Sequence, residues 1–372
     1  MRLVSTADLR EGVTLAMDLP ARPGHQHLPR AGAVLEADDR AALLDAGISR
    51  VYVEDEWSED IDVPLALSDA TREAARAAVG RAFAEARRMP GDLLAYERLE
   101  ELTAAARGIV AEVERLPDAP FAFADLSNAD AYPVEHSIDA TVVGLLIGRR
   151  LGLESELLLQ LGLGLFLQDI GTLALPPSIV YKPEPLADDE LELMRRHPLR
   201  GLDFLRDEAI GELAESVVRS HHERWDGGGY PAGLAGEEIS RFARIAAVAD
   251  VFDAVTSERH QAPAGSQRAG VATVRAEAGN ALDPELVEVF CDVVVAHPPG
   301  SEIELPDGCR GVVASVTEEG PVVRLRDRDR GRGLSARPRL SRPRRAPRPR
   351  SSRRRSRGAR RPRRGRPTAR SA

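Results

Sequence analysis

Two adjacent histidines, His221 and His222, run through Glu223-Arg224-Trp225-Asp226 into the turn Gly227-Gly228-Gly229-Tyr230-Pro231. A neutral imidazole is the commonest metal ligand near pH 7, and adjacent histidines are rare by chance in a chain that has eight. The glycines let the backbone turn with φ > 0 and approach a ligand closely. The competing reading is a surface loop with two solvated histidines, and other donors along the chain weigh against it. His136, Asp169, His197 and Asp250 complete the set. The gaps are 28 residues from Asp169 to His197, 24 from His197 to His221 and 28 from His222 to Asp250. Such gaps suit consecutive helices of a bundle, which can point side chains into one central cavity. Imidazoles mixed with carboxylates suit a first-row transition metal better than Mg²⁺ or Ca²⁺. Two such ions would clamp the attacking and leaving oxygens of a phosphoryl displacement and make hydroxide at neutral pH. A carboxylate such as Asp169 can bridge both.

The elements that must position these residues are mainly helical. Between Asp130 and His297, His136, Ala140, Val143 and Ile147 recur on one helical face. Leu157–Phe166 is predicted as a buried helix leading to Gln168-Asp169, and Asp189-x-x-Glu192 as a capping box for a helix through Arg196. His197-Pro198 should break or kink that helix. Leu213–Ser220 leads into the double histidine, Arg241–Ser257 forms a further helix, and Asp283-Pro284-Glu285 opens one through Val295. Ahead of this block, residues 1–55 read as a small α/β unit: strands at 13–17 and 51–53 and a short helix at 37–44. Residues 56–118 read as a helical connector, with helices 68–88 (N-cap at Ser68 or Asp69) and 94–116. The site domain spans 119–300, a short β extension 301–326, and a disordered basic tail 327–372.

Aromatic residues make up only 4 % of the chain, so Leu, Val, Ala and Ile must build the core. The net charge of −8 hides an asymmetry. From Arg324 to Ala372 there are 22 Arg and two Asp, a charge of +20, which leaves −28 for the rest. Three readings of the tail stand side by side. It binds nucleic acid or anionic lipid through nonspecific charge, it folds back on the acidic body, or it is out-of-frame translation of GC-rich DNA. The last accords with one lysine, Lys182, against 50 Arg. Cys291 and Cys309 are too few for a disulfide framework. Met1–Arg10 has no apolar signal core, and the run Leu157–Leu167 falls short of the roughly 20 residues a membrane span needs. A cytoplasmic protein without a membrane span is expected.

With these residues in hand the chain resembles the HD-GYP family, bacterial members of the HD metal-dependent phosphohydrolases. The likeness rests on Asp169-Ile170-Gly171, His197-Pro198, His221-His222-x-x-x-Asp226-Gly-x-Gly-Tyr-Pro and Asp250-Val-Phe-Asp253-Ala254, and covers about 125–300. Residues 1–55 resemble a small domain often found ahead of HD-GYP. The resemblance implies a helical-bundle domain, hydrolysis of cyclic di-GMP and two divalent ions, Fe or Mn. It implies that Asp169 bridges the ions, that His197, His221 and His222 hold the second, and that His136 and Asp250 hold the first. Gly228, Gly229, Tyr230 and Pro231 would shape the site and meet signalling proteins, with Arg259 at the substrate.

Three positions depart from the family pattern. The signature His-Asp-Ile-Gly-Lys is here Gln168-Asp169-Ile170-Gly171-Thr172. Gln168 puts a weak amide oxygen where an imidazole would ligate, which weakens the first-metal position. Thr172 removes a cation expected to meet phosphate. Tyr132 stands where three-metal members have a Glu. Two outcomes follow: a working phosphodiesterase, or a catalytically impaired module for cyclic di-GMP-linked signalling or protein interaction. A hydrolase for another phosphorylated nucleotide is a third. Other residues read plainly. Asp253, three residues after Asp250, is a structural hydrogen-bonding residue. Glu223 is either a supporting residue or an exposed one, and His25, His27, His260 and His297 are solvated. Cys291 is a small core residue.

Overall fold

Leu158, Leu159, Leu161, Leu163, Leu165, Phe166 and Leu167 are all buried, so the helix that carries them is apolar on every side and must lie at the centre of the molecule. In the computed structural model it does. The residues described are 1–19, 25, 27–117, 132–205, 210–257, 264–305, 308–317, 320–325 and 334–336. This central helix, α5 (Ser155–Leu167), packs against α3 (Tyr96–Arg115) and α4 (Tyr132–Arg150), and α2 (Asp69–Arg88) lies against those two. Helices α9 (Glu212–Ser220), α10 (Arg241–Thr256), α11 (Gln267–Ala276) and α12 (Pro284–Val293) join the same apolar core. With the 3-10 turn Ile170–Ala174 that follows it, α5 forms a stretch, Ser155–Ala174, long and apolar enough to cross a membrane by length and composition. The run thus extends past Leu167, where the sequence reading ended it, and 72 % of its window is buried inside the protein.

The helix starts follow local chemistry. Ser68 Oγ accepts from Thr71 N and caps α2, and Asp283 accepts from Glu285 N at 2.9 Å with Pro284 in the first turn of α12. One expectation is corrected. The cap expected at Asp189-x-x-Glu192 lies two residues earlier: Glu190 accepts from Ala187 N at 2.8 Å, and α7 runs Asp188–Met194. The helix closes there, and Pro198 then sits in the first turn of the next helix, α8 (His197–Asp203). A proline is tolerated in a first turn because its missing N–H would have no partner there. The short α6 (Pro177–Val180) precedes α7.

Two small sheets flank the bundle. The first has order β1-β3-β2, all antiparallel, from β1 (Arg2–Ser5), β2 (Thr14–Leu15) and β3 (Arg50–Glu54), with α1 (Ala37–Asp45) alongside. The expected strand 13–17 shrinks to two residues, and β1 went unread because four residues give too little alternation. The second has order β4-β5-β6-β7, from β4 (Glu302–Glu304), β5 (Arg310–Thr317), β6 (Gly320–Leu325) and β7 (Leu334–Ala336). Strand β7 lies inside the tail expected to be without structure. Its backbone pairs with β6, Val323↔Ala336 through Leu325↔Leu334, which needs no apolar content. The two sheets also meet: Tyr52, Ile61, Val63 and Val312 share one apolar cluster, and the Arg324 guanidinium donates to Trp57 O and Asp60 at 2.6–2.7 Å. The connector helix α2 is tied to α4 by Arg72 to Asp139 (2.7 Å) and Arg76 to Glu135 (2.5 Å). Among the described residues, neither Cys291 nor Cys309 is in a disulfide.

Candidate metal centre

The site forms where the ends of α4, α8 and α9 and the middle of α10 converge on the turn after α5. His136 projects from α4, Asp169 precedes the 3-10 turn, His197 opens α8, His221 closes α9, and Asp250 lies on α10. Gly171 makes the convergence possible. A Cβ on it would lie 2.0 Å from His197 O and 2.4 Å from Gly201 N, so only glycine lets the turn lie flat on α8.

Ligand atoms of Asp169, His197, His221 and His222 all lie within 4.8 Å of one another. His197 Nε2 and His221 Nε2 are 3.3 Å apart and lie 3.3 and 3.6 Å from Asp169 Oδ1. Their other nitrogens are committed. His197 Nδ1–H donates to Met194 O at 2.9 Å, and His221 Nδ1–H donates to Val217 O at 3.1 Å. Both Nε2 atoms therefore point at one carboxylate oxygen, and something positive must sit among the three. Without a metal it is a proton. Burial lowers the His221 pKa, but the hydrogen bond and charge of Asp169 outweigh it and hold it above the ordinary value. His222 is pushed the other way, to about 3, by burial and then by the charge of His221. Its ring, neutral near pH 7 for that reason, stacks on Tyr230 with centroids 4.8 Å apart.

On the opposite side, His136 Nε2 lies 3.3 Å from Asp169 Oδ2 and 3.2 Å from Asp250 Oδ1. His136 Nδ1–H donates to Asp253 Oδ2 at 2.5 Å, and Asp253 Oδ1 accepts from Ser257 at 2.8 Å. Asp253 is thus the hydrogen-bonding residue expected: it fixes the tautomer and ring plane of His136, as carboxylates behind ligating histidines do. Burial would raise Asp169 and Asp250, yet the imidazoles hold both below the usual carboxylate range; for Asp253 burial prevails and the carboxyl is raised. The amide nitrogen of Gln168 lies 3.2 Å from His136 Nε2, and its buried Oε1 has no hydrogen-bond partner. Thr172 does not enter the cavity: its hydroxyl donates to Asp169 O at 2.7 Å.

Oxygen and imidazole donors, tautomers set from behind and an orphaned buried amide oxygen together fit a divalent transition metal.

A cavity of about 440 Å³ opens over this cluster, lined by Arg195, His221, His222, Gly228, Tyr230 and Asp250 among others. Its rim is the glycine turn. A Cβ on Gly229 would lie 2.3 Å from Arg224 N, and Gly228 N donates to Asp226 Oδ1 at 2.9 Å. The Tyr230–Pro231 peptide is cis. Glu223, one of whose two readings was an exposed residue, is buried and accepts from Ala232 N (2.7 Å) and Leu234 N (3.0 Å), clamping the turn. Arg195, which the sequence reading passed over, stands beside Tyr230; no motif marks it. Arg259 lies outside the described residues, as do His260 and most of the basic tail.

A family model described as an HD domain matches residues 126–286. The chain is similar to a cyclic di-GMP phosphodiesterase of Pseudomonas aeruginosa, 39 % identical over 206 residues, which span 55 % of this chain and 50 % of that one. It is also similar to a cyclic di-GMP phosphodiesterase response regulator of Xanthomonas campestris, 29 % identical over 284 residues, 75 % of this chain and 71 % of that one. The chain thus spans about half the length of the Pseudomonas relative. A solved HDG"Y"P protein from Bdellovibrio bacteriovorus superposes with a TM-score of 0.46 at 14 % identity, over 78 % of this chain and 98 % of that one.

Proposed function

We propose that the chain, whose residues 126–286 match an HD-domain model, is a member of the HD-GYP family and a metal-dependent phosphodiesterase that opens cyclic di-GMP. The observation that carries the reading is the convergence of Asp169, His197, His221 and His222 on one point. In this reading those four hold one ion, and His136, Asp169 and Asp250 hold another, both Fe or Mn. When bound, such ions neutralise charge on the phosphodiester and supply a nucleophile at neutral pH.

The chain's own residues do the rest. Met194 O and Val217 O hold the imidazoles of His197 and His221 in one tautomer, and Asp253 does so for His136. Preset donors lose little order on engaging a ligand, which favours the bound state. Tyr230 keeps its proton, because burial and then the charges of Asp169 and Asp250 raise its pKa, so its hydroxyl can donate to substrate oxygen. The clamped turn keeps that ring at the cavity wall. The test is direct: protein loaded anaerobically with Mn²⁺ or Fe²⁺ should convert cyclic di-GMP to the linear dinucleotide. A folded, metal-loaded sample that yields none refutes the reading.

A second reading, an impaired module that signals through cyclic di-GMP or through partners at the Gly-Tyr-Pro turn, has its own support. The Gln168 amide already occupies the Nε2 face of His136, and the cation expected at position 172 is missing. Activity gained only in the double variant Gln168→His, Thr172→Lys would favour it; strong wild-type turnover would reject it.

A further inference from the structure

Two arginines line the cavity over the cluster, Arg195 and Arg224. Arg224 is engaged: its Nε and Nη2 donate to the two carboxylate oxygens of Asp226 at 3.1 and 2.7 Å. Arg195 is not. It caps the C-terminus of α7 two residues before His197, and its guanidinium carbon lies 5.8 Å from the centroid of the Tyr230 ring. Among the described residues it forms no ion pair. Tyr230 in turn is stacked on His222, so the Arg195 side chain, although exposed, has its guanidinium beside the wall of the site.

The cavity has a matching electrostatic need. Asp250 lines it, and Asp169 stands behind, with His136 Nε2 within 3.3 Å of both carboxylates. An anionic substrate entering over two carboxylates needs a cation on the side away from the metal ligands. Thr172 supplies none, and its hydroxyl is turned onto Asp169 O. Lys182, the chain's one lysine, is paired with Glu190 at 2.6 Å.

Resting on the phosphodiesterase reading, we infer that Arg195 receives a phosphate of the cyclic dinucleotide and takes the charge role that is missing at Thr172. A guanidinium presents its N–H donors as a planar fork that matches two phosphate oxygens. It can leave the Tyr230 face for a phosphate without breaking any ion pair.

The experiment uses the full metal-loaded chain and the variants Arg195→Ala and Arg195→Lys. Equilibrium dialysis measures binding of cyclic di-GMP and, separately, of inorganic phosphate, with metal content measured on the same samples. Arg195→Ala should weaken cyclic di-GMP binding roughly 10- to 100-fold, the size of a lost hydrogen bond to a charged group, at unchanged metal content. Arg195→Lys should recover part of the loss, and added salt should weaken wild-type binding more steeply than that of Arg195→Ala. Equal binding by wild type and Arg195→Ala overturns the assignment. So does a loss of metal in Arg195→Ala, which would make Arg195 a support for the cluster. Binding of phosphate that depends on Arg195, with no binding of cyclic di-GMP, rejects the dinucleotide reading and leaves the Arg195 assignment standing. Binding of neither by the wild type rejects both.

Discussion

Replacing Gln168 with histidine should change how many metal ions the protein retains. In the wild type the proton of His136 is drawn to Nδ1 by Asp253, and the free Nε2 lone pair accepts from the Gln168 amide at 3.2 Å. A metal on this side must displace that amide and rely on His136, Asp169 and Asp250, with at best a weak amide oxygen besides. Loss of a supporting contact alone costs 10–100-fold in affinity. A missing direct ligand is then worth about 100-fold or more, or ~2.7 kcal/mol. The wild type should take up one Mn²⁺ tightly and a second at least ~100-fold more weakly, while Gln168→His should bring the second to within about tenfold of the first. The substitution also removes the unpartnered Oε1, whose burial costs roughly 1–3 kcal/mol, so the metal-free variant should be no less stable. Calorimetric titration with Mn²⁺ and elemental analysis after desalting read both quantities. A wild type that retains two ions per chain, or a variant that retains no more than the wild type, refutes the reasoning.

Two further substitutions test how the site is held. Gly171→Ala puts a Cβ 2.0 Å from His197 O and 2.4 Å from Gly201 N. Backbone atoms cannot rotate away, so the cost falls at the upper end of overpacking, ~3 kcal/mol, or a melting temperature lower by roughly 6–12 °C. Gly80→Ala, inside α2 with nothing within 4 Å of the new Cβ, should instead raise stability by ~1 kcal/mol; equal melting of the two variants would contradict this packing. His222 sets a pH dependence. Its folded pKa, about 3, lies below the ordinary 6.5, so below pH 6.5 the unfolded chain takes up a proton that the folded chain refuses. Metal-stripped protein should therefore lose stability from this group as the pH falls from 6.5 toward 3, by at most ~1.4 kcal/mol per pH unit. In His222→Asn that slope should shrink; urea midpoints in chelator at pH 7 and pH 5 that move as in the wild type would count against it.

The place of the site was legible because its donors are rare residue types and because its helices announce themselves. Ser68 and Asp283 cap where their side chains dictate, and the 241–257 helix differs from α10 by one residue. What a helical period cannot give is the partner a side chain meets far along the chain. Asp253 shares a helix face with Asp250 three residues earlier, and that it holds His136, 117 residues away, follows only from the packing of α4 on α10. Glu223 could not be told from a solvated glutamate, because its acceptors' partners are backbone amides of Ala232 and Leu234, and any sequence supplies those. Arg195 was invisible for a similar reason. Its meaning comes from what stands opposite, Tyr230 on one side and the engaged Arg224 on another.

The charge of the cluster bears on what Gln168 has changed. Asp169 and Asp250 are both held ionised, and His136, whose one proton sits on Nδ1 toward Asp253, adds no positive charge. His222 stays neutral, and His221 alone favours an extra proton. Two half-buried carboxylates are thus offset by at most one imidazolium, and the centre keeps a negative charge that partial desolvation makes costly. Exchanging a neutral histidine for a neutral glutamine at 168 leaves this sum untouched. The field that recruits a divalent ion survives; only the strength of one donor falls. Gln168 should therefore lower the occupancy of the His136 side without affecting the Asp169, His197, His221 and His222 side. With Asp253 bonded to His136 Nδ1, the Nε2 atom stays aimed at Asp169 and Asp250, so every donor on that side except position 168 keeps its place.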